Sequence, residues 1–216
     1  MTSAPAPPRE AAGAQLRPVR LPDDLDALLR LEAAASAAST AYVHAQPKDA
    51  RAFRAALVRR GAAEFGPPHA RFVALPGAPA AGLLAVLDAP ALARARLLTA
   101  LAVRRGEVPL SAVVQGRMHR LGATLAPVEA GTAYLSRLAV APEVAGRGLG
   151  RWLVAQAVDR ARALDAAHLV VDVAADNARA LALYESAGFT RLGGGTAHDG
   201  ADGRAVSHVR LGRPVP

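Results

Sequence analysis

The stretch Glu143-Val144-Ala145-Gly146-Arg147-Gly148-Leu149-Gly150-Arg151 decides the fold, because it joins the clearest strand of the chain to a long amphipathic helix. Its three alternating glycines let the backbone approach a ligand closely and leave several N–H groups directed along the helix axis. Together with the positive end of the helix dipole, such a turn binds anions and suits a pyrophosphate. Arg147 and Arg151 can add positive charge from their side chains. Glycine-rich turns also occur as plain tight connections, so this signal needs support from elsewhere in the chain.

Two other phosphate-binding turns are alternatives for this stretch. The dinucleotide fingerprint of a Rossmann fold needs Gly-x-Gly-x-x-Gly, whereas the spacing here is Gly-x-Gly-x-Gly. Asp172 follows about 22 residues later, where an acid that binds ribose would stand, but no second Rossmann half follows the turn. A dinucleotide-binding enzyme would therefore bind NAD and depend on Asp172. A P-loop is excluded because no Gly-Lys-Ser/Thr sequence follows the glycines.

A second pattern lies further along the chain. It reads Asn177-Ala178-Arg179-Ala180-Leu181-Ala182-Leu183-Tyr184-Glu185-Ser186-Ala187-Gly188-Phe189. Taken alone, it describes a short helix and strand packed on a core, in which Asn177 caps the helix and Tyr184 is a core aromatic residue.

Together the two patterns resemble the GNAT family of N-acetyltransferases. Members of this family begin their coenzyme A helix with Arg/Gln-x-x-Gly-x-Gly/Ala, and residues 145–150 match with Ala145 in the first position. They carry Asn-x-x-Ala-x-x-Leu-Tyr-x-x-x-Gly-Phe further on, and residues 177–189 match every defined position. The lead-in strand, residues 134–140 followed by Ala141-Pro142, also matches. The departure at Ala145 removes one side-chain contact to phosphate but leaves the backbone of the turn intact.

The resemblance and the apolar periodicity predict an α/β (α+β) fold, with a mixed central sheet of six to seven strands flanked by helices. The predicted strands are residues 15–20, 71–75, 82–87, 133–140, 168–173, 188–192 and 204–211, with a loop at 193–203. Helices are predicted from a cap at Asp23 or Asp24 and at residues 47–60, 148–164 and 177–187. We expect a disordered leader at 1–14 and a single domain at 15–216, with a helical insertion at 88–130 before the fourth strand.

The composition excludes several function classes. The chain has 216 residues, no cysteine and six scattered histidines, so we predict neither a disulfide nor a metal site. The formal net charge is +8, but Lys48 is the only lysine and the arginines are interspersed with acids, so no nucleic-acid partner is expected. No apolar run is long enough to span a bilayer, and residues 1–14 lack the features of a signal peptide. We therefore expect a cytoplasmic protein without a membrane partner.

The resemblance also implies where acetyl-CoA binds. Backbone groups of Leu138, Ala139 and Val140 would contact the acetyl carbonyl and the pantetheine arm. Asn177 would contact the pantetheine arm, and Tyr184 would donate a proton to the coenzyme A sulfur. The pyrophosphate would bind the backbone of the glycine turn, namely Ala145, Gly146, Arg147, Gly148, Leu149, Gly150 and Arg151.

The general base is not evident from the sequence. Many members of the family have a glutamate on the strand before the glycine turn, but here Ser136 and Arg137 stand at the candidate positions. A surface or structural role is the ordinary expectation for each remaining candidate, and water alone is a further alternative. These candidates are Glu129, Glu143, Glu32, His44 and His119.

The predicted function is transfer of an acetyl group from acetyl-CoA to a primary amine of an unidentified small molecule or protein. The alternative is a non-catalytic module that senses acetyl-CoA, which the missing strand glutamate favours and Tyr184 disfavours. Specificity is expected to come from residues 31–60, from the insertion and from the loop at 193–203. By analogy with the family, we expect a homodimer in which the insertion helices supply an interface.

Overall fold

The computed structural model describes residues 13–44, 46–108 and 110–216. The first twelve residues of the predicted leader lie outside this part of the chain. Within it, seven strands form one sheet: β1 (Gln15–Pro18), β2 (Ala70–Leu75), β3 (Ala78–Asp88), β4 (Thr132–Val140), β5 (His168–Ala174), β6 (Thr190–His198) and β7 (Ala205–Pro214). Their order across the sheet is β1-β2-β3-β4-β5-β7-β6, and β4 and β5 form a parallel pair while the other neighbours are antiparallel.

The helices interrupt the strands as the predicted α/β (α+β) fold requires. They are α1 (Leu25–Ala35), α2 (Ala37–Val43), α3 (Pro47–Arg59), α4 (Ala89–Arg104), α5 (Ala112–Thr124), α6 (Leu149–Arg162) and α7 (Ala178–Ser186), with a short 3-10 turn at Pro142–Val144. The mixed sheet, the flanking helices and the two helices inserted before the fourth strand are all confirmed. Because most neighbouring strands are antiparallel, the sheet is not a Rossmann sheet.

The two inserted helices begin where the sequence provides caps. The Asp88 side chain accepts a hydrogen bond from the Ala91 N–H at 2.8 Å and starts α4, which has proline in its first turn. The Ser111 hydroxyl accepts one from the Val114 N–H at 3.3 Å and starts α5. Buried ion pairs fix α5 to the end of β6, since the Arg117 Nε lies 2.5 Å from a carboxylate oxygen of Asp199.

The sheet separates two groups of helices. On one face, a Cβ added to Gly82 of β3 would lie 3.4 Å from a methyl group of Leu153 in α6 and 2.7 Å from the Ala139 carbonyl oxygen. On the other face, Tyr134 of β4 packs with Leu92 of α4 in a small buried cluster. Because side chains alternate along a strand, α6 lies against the face that bears Gly82 and α4 against the opposite one. Helix α1 shares that second face, since Glu32 of α1 contacts the side chain of Arg137 in β4.

Two local predictions were wrong, and one helix was not predicted. Helix α2 was not predicted, because its residues (AASTAYV) show little apolar periodicity. Asp24 precedes α1 but makes no side-chain cap; its carboxylate instead accepts hydrogen bonds from Arg17 at 2.6 and 2.8 Å. The predicted loop at 193–203 is strand as far as His198.

The glycines in β6 explain the last error. Gly195 of β6 pairs with His208 of β7, and a Cβ on Gly195 would lie 2.9 Å from the Cβ of Thr124 in α5. A glycine run normally predicts a loop, but here the missing side chains let the inserted helix pack against the strand.

Candidate functional site

The parallel strands β4 and β5 separate part of the way along. Only Thr132, Ala133 and Tyr134 of β4 pair with β5, although β4 continues to Val140 and β5 to Ala174. Beyond Tyr134, the two strands therefore border a gap that neither of them closes with ladder hydrogen bonds. An extended ligand that enters this gap can hydrogen-bond to strand backbone without displacing any existing pair.

A β-bulge in β4 marks the start of the gap. Across the β3–β4 pair, Ala85 is opposite Arg137 and Val86 is opposite Leu135, so Ser136 is one extra residue on β4. Ser136 and Arg137 both line a cavity next to the gap. The bulge thus brings side chains of two successive residues to one side of a strand on which they would otherwise alternate.

The backbone of β4 presents N–H donors to this gap. The Ala141 N–H donates to the Ala81 carbonyl oxygen at 2.8 Å, on the β3 side. Because N–H direction alternates along a strand, the Ala139 N–H also points towards β3, whereas those of Leu138 and Val140 point towards the gap. Three residues were predicted to contact an acyl-pantetheine arm. Two of them, Leu138 and Val140, therefore have N–H groups directed towards the gap.

The glycine turn lies just beyond the end of β4. Gly146 and Gly148 have φ values of 81° and 70°, which are left-handed conformations that side chains rarely adopt. The Ala145 N–H donates to the Pro142 carbonyl oxygen, but the next six N–H groups, residues 146–151, have no hydrogen-bond acceptor within the described part of the chain. Consecutive free N–H donors at the start of a helix are suited to binding an anion such as a pyrophosphate.

The side chains around the turn support the same geometry. Arg147 and Arg151 are exposed, whereas Leu149 is buried and holds the first turn of α6 against the core. A Cβ on Gly150 would lie 3.4 Å from a methyl group of Leu183, so this glycine keeps α6 and α7 close together.

Helix α7 carries the two side chains of the second motif. The Asn177 Oδ1 accepts a hydrogen bond from the Ala180 N–H at 3.1 Å and caps the helix. Tyr184 is 5% exposed and packs with its ring centroid 5.3 Å from that of Phe189. Burial raises the pKa of Tyr184 above its usual range, so the phenol remains protonated at neutral pH.

A cavity of about 750 Å³ lies beside the gap, on the face of the sheet that bears α1 and α4. Residues of α1, α2, α3, α4, α5, β4, β5 and β7 line it. Two of the three regions predicted to set specificity, residues 31–60 and the insertion, therefore line one cavity, whereas residues 193–203 are not among its lining residues. The wall is mostly apolar, with Val43, Phe53, Leu57, Met118 and Leu121 among its residues.

A chain of ion pairs forms the charged part of the cavity wall. Glu32, which is fully buried, pairs with both Arg54 and Arg137. The Arg137 Nη1 also lies 3.0 Å from a carboxylate oxygen of Glu64, whose other oxygen is 3.8 Å from the Arg96 Nε. Burial lowers the pKa of Arg137, but the Glu32 and Glu64 carboxylates outweigh it and the net pKa is raised. Arg137 therefore stays charged at one of the two positions where the resemblance led us to expect a glutamate.

A second polar network lies at the far side of the cavity. Asp172 accepts hydrogen bonds from Arg210 at 2.6 and 2.9 Å and from the Tyr134 hydroxyl at 3.3 Å. The His208 Nε2 is 4.0 Å from the same carboxylate. Burial, followed by the nearby carboxylates of Glu64 and Asp172, raises the pKa of Tyr134. Asp172 thus serves this cavity and not a ribose site at the glycine turn.

Sequence reasoning missed His208 and Arg210, because residues of β7 come next to Asp172 only through the pairing of β5 with β7. No local spacing in the sequence signals that contact.

The candidate bases fall into two groups. Glu32, His44 and His119 line the cavity, whereas Glu129 and Glu143 are not among its lining residues. Glu32 is held between two arginines. His44 is 7% exposed, and burial followed by the charge on Arg54 lowers its pKa, so the imidazole is neutral at pH 7 and can accept a proton.

Within the described residues, no group of three or more His, Asp or Glu side chains is arranged to hold a metal ion. The helices of that part are all too short or too polar to cross a membrane.

Part of the chain resembles a known protein family. Residues 91–189 match the family model described as Acetyltransferase (GNAT) family. Mycothiol acetyltransferase from Beutenbergia cavernae is 48% identical over 64 residues, which are 29% of this chain and 21% of that protein. The match thus spans only about a fifth of the relative's length.

Solved structures with the same fold cover nearly the whole chain. SsHAT is 22% identical with a TM-score of 0.60, over 94% of this chain and 99% of that one. The ribosomal-protein-S18-alanine N-acetyltransferase from Escherichia coli is 20% identical with a TM-score of 0.52, over 94% of each chain. The structure of yncA from Salmonella typhimurium with its cofactor acetyl-CoA is 16% identical with a TM-score of 0.54, over 94% and 95%. At these identities, the likeness shows the fold alone.

Proposed function

We propose, from the premise that the chain belongs to the GNAT family of acetyltransferases, that it transfers an acetyl group from acetyl-CoA to a primary amine of a small molecule or protein. The observation that carries this proposal is the gap between β4 and β5, which opens next to the glycine turn on one side and the 750 Å³ cavity on the other. A thioester bound in the gap would meet an amine bound in the cavity.

The cofactor site combines two sets of backbone donors. The free N–H groups of residues 146–151 would hold the pyrophosphate, with Arg147 and Arg151 at its edge. The N–H groups of Leu138 and Val140 would hold the arm and the acyl carbonyl. Ala139 lies between these two residues, and its own N–H points towards β3. The Asn177 side-chain NH₂ group, left free by the cap that its oxygen makes, would contact the arm. Acetyl-CoA supplies the activated acetyl thioester.

Acyl transfer requires stabilisation of the acyl oxygen, a base for the amine proton and an acid for the departing sulfur. A neutral amine must attack the acyl carbon, and a C–N bond forms as the C–S bond breaks. The Leu138 N–H would stabilise the negative charge that develops on the acyl oxygen. The amine gives up one proton to a base, and the departing sulfur takes one from an acid, so that the products are an amide and a free thiol.

Tyr184 is the proposed acid. Its hydroxyl stays protonated because burial raises its pKa, and within the described residues no hydrogen bond engages it. A phenol that is protonated throughout the neutral range can donate to a thiolate at every pH at which the amine is reactive.

His44 is the proposed base. It lines the cavity, and the lowered pKa keeps it neutral and able to accept a proton directly or through water. Glu32 is a poorer candidate because protonation would break its pairs with Arg54 and Arg137.

Isothermal titration of the purified protein with acetyl-CoA, and with NAD as the control ligand, tests the proposal. We expect binding of acetyl-CoA and no binding of NAD. Absence of acetyl-CoA binding would remove the proposal, and NAD binding would restore the dinucleotide alternative.

A non-catalytic acetyl-CoA sensor is the second candidate. The observation in its favour is Arg137, which places a paired guanidinium on β4 where many relatives have a glutamate. Tight acetyl-CoA binding without thiol release against a broad panel of amines would favour the sensor.

A further inference from the structure

The arginines of the cavity outnumber the carboxylates that pair with them. In the ion-pair chain, Glu32 serves Arg54 and Arg137, while Glu64 serves Arg137 and only partly Arg96. The third carboxylate of the wall, Asp172, is neutralised by Arg210. Positive charge is therefore left over on the wall that α4 contributes.

Arg96 is the least satisfied of these arginines. Its Nε is 3.8 Å from Glu64, which is an ion-pair distance and not a hydrogen bond. Its terminal nitrogens have no acceptor within the described part of the chain. The guanidinium lies 5.6 Å from the centre of the Tyr134 ring, and 40% of the side chain is exposed in a position that lines the cavity. Its planar edge is thus free to bind a carboxylate in a bidentate manner.

Arg104 adds to this positive charge. It lies two helical turns further along α4, also lines the cavity, and has no carboxylate partner among the described residues. At that separation, about 12 Å along the helix, the two arginines do not converge on one group. A single guanidinium suits a carboxylate, which carries one charge, better than a phosphate dianion.

Arg96 lies close to the β4 bulge, where the gap begins. Arg96 stacks over Tyr134, the last residue of β4 that pairs with β5, and the bulge residue Ser136 lies two positions further. That separation is about 7 Å along a strand. An amine near the bulge and a carboxylate at Arg96 therefore fit on one small molecule.

We propose that the acetyl acceptor is an amine that also carries a carboxylate and an apolar side chain, with Arg96 binding the carboxylate. This inference rests on the proposed function and assigns the class of its second substrate. The apolar wall formed by Phe53, Leu57 and Met118 receives the side chain. The surplus positive charge also favours the neutral, nucleophilic form of the amine over the ammonium form, and it disfavours polycationic acceptors.

The test compares two N-acetylated ligands, neither of which carries an ammonium group, and uses the protein saturated with coenzyme A. N-acetyl-L-phenylalanine and N-acetyl-L-phenylalaninamide share a side chain and differ in the carboxylate. By isothermal titration, we expect the carboxylate to bind about tenfold to a hundredfold more tightly, as one charge-assisted pair would give. Arg96→Gln should abolish this preference.

Arg94→Gln is the matched control, because Arg94 is on the same helix, is exposed and does not line the cavity. It should keep the preference of the parent protein. Equal binding of the two ligands, binding of neither, or a preference that survives in Arg96→Gln overturns the assignment of the carboxylate.

The proposed function fails separately, through loss of acetyl-CoA binding in the titration without any acceptor. A parent protein that binds acetyl-CoA but shows no carboxylate preference therefore contradicts only this inference. Initial rates with L-phenylalanine and L-phenylalaninamide, measured by thiol release, should follow the same order of preference in the parent protein and lose it in Arg96→Gln.

Discussion

The two sides of the β4–β5 gap differ in the groups that they present: backbone N–H groups on one side and side chains on the other. On the proposed cofactor side, the donors are backbone N–H groups within one short stretch, namely those of Leu138, Val140 and residues 146–151, and helix α7 follows. On the proposed acceptor side, the wall of the cavity consists mainly of side chains from five helices and three strands. A site made of backbone groups keeps those groups when the residues around its glycines are substituted. In a site made of side chains, a substitution replaces the groups that contact the ligand. The first suits a constant cofactor, and the second suits a substrate particular to each protein.

The most damaging change on the cofactor side is expected from Gly148→Glu. The φ of 70° at Gly148 is unfavourable for any side chain, and the new carboxylate would repel a pyrophosphate held by residues 146–151. We expect acetyl-CoA affinity to fall by more than about a hundredfold in isothermal titration, from the combined strain and repulsion.

Gly77→Glu provides the control for that variant. Gly77 has a φ of 75° in the turn between β2 and β3, so the substitution adds the same strain and charge elsewhere. Equal losses of affinity in the two variants would show that general destabilisation, and not the turn, is responsible.

On the acceptor side, the largest effect is expected on stability. Glu32→Ala would leave Arg54 and Arg137 without their shared carboxylate in a buried site. Removal of one member from a buried ion-pair network costs about 3 kcal/mol of unfolding free energy. Urea denaturation followed by circular dichroism measures this loss.

Glu185→Ala is the matched comparison, because the Glu185–Arg191 pair is largely exposed. Its effect should stay below about 0.5 kcal/mol. Equal losses of unfolding free energy in the two variants would show that the ion pairs of Glu32 do not stabilise the fold more than an exposed pair does.

The same contrast explains how much could be predicted from the sequence. The turn at 143–151 and the helix from Asn177 were evident, because local spacing alone produces both. The cavity was not, since its contacts join distant residues: Arg137 reaches Glu32 across 105 positions and Arg210 reaches Asp172 across 38. The absence of a glutamate from this strand is evident in the sequence. The ion pairs that Arg137 makes with Glu32 and Glu64 are evident only in the folded structure.

The glycines of β6 give the converse lesson. Gly194 and Gly195 have the composition of a loop, and only contact with α5 and β7 makes them a strand. Glycine-rich sequence therefore accompanies a turn with left-handed backbone at Gly146 and Gly148, but a strand at β6, because the same residue serves both conformational freedom and close packing.

Tyr184→Phe tests whether the two sides meet in a reaction. Loss of the proposed acid should lower kcat by about a hundredfold, within the usual contribution of general acid–base catalysis, and leave acetyl-CoA affinity unchanged. Thiol release measures the rate, and titration measures the affinity.

Tyr42→Phe is the control, since Tyr42 is a buried tyrosine that packs against α5 and does not line the 750 Å³ cavity. An unchanged kcat in Tyr184→Phe would remove this tyrosine from the mechanism. A matching fall in Tyr42→Phe would attribute the loss to packing.

The smallest expected effect concerns His44 and pH. Burial and Arg54 lower the pKa of His44 in the folded protein, so the unfolded chain takes up a proton first as the pH falls. His44 therefore costs no stability above its unfolded pKa of about 6.5, and destabilises the folded state progressively below that pH. Between pH 7.5 and 5.5, the parent protein should lose more unfolding free energy than His44→Gln does. His168→Gln, the same substitution at an exposed histidine that does not line the cavity, supplies the control. Identical curves for His44→Gln and the parent would mean that His44 takes up its proton equally in the folded and unfolded states, and the case for a neutral base on the acceptor side would lose its electrostatic support.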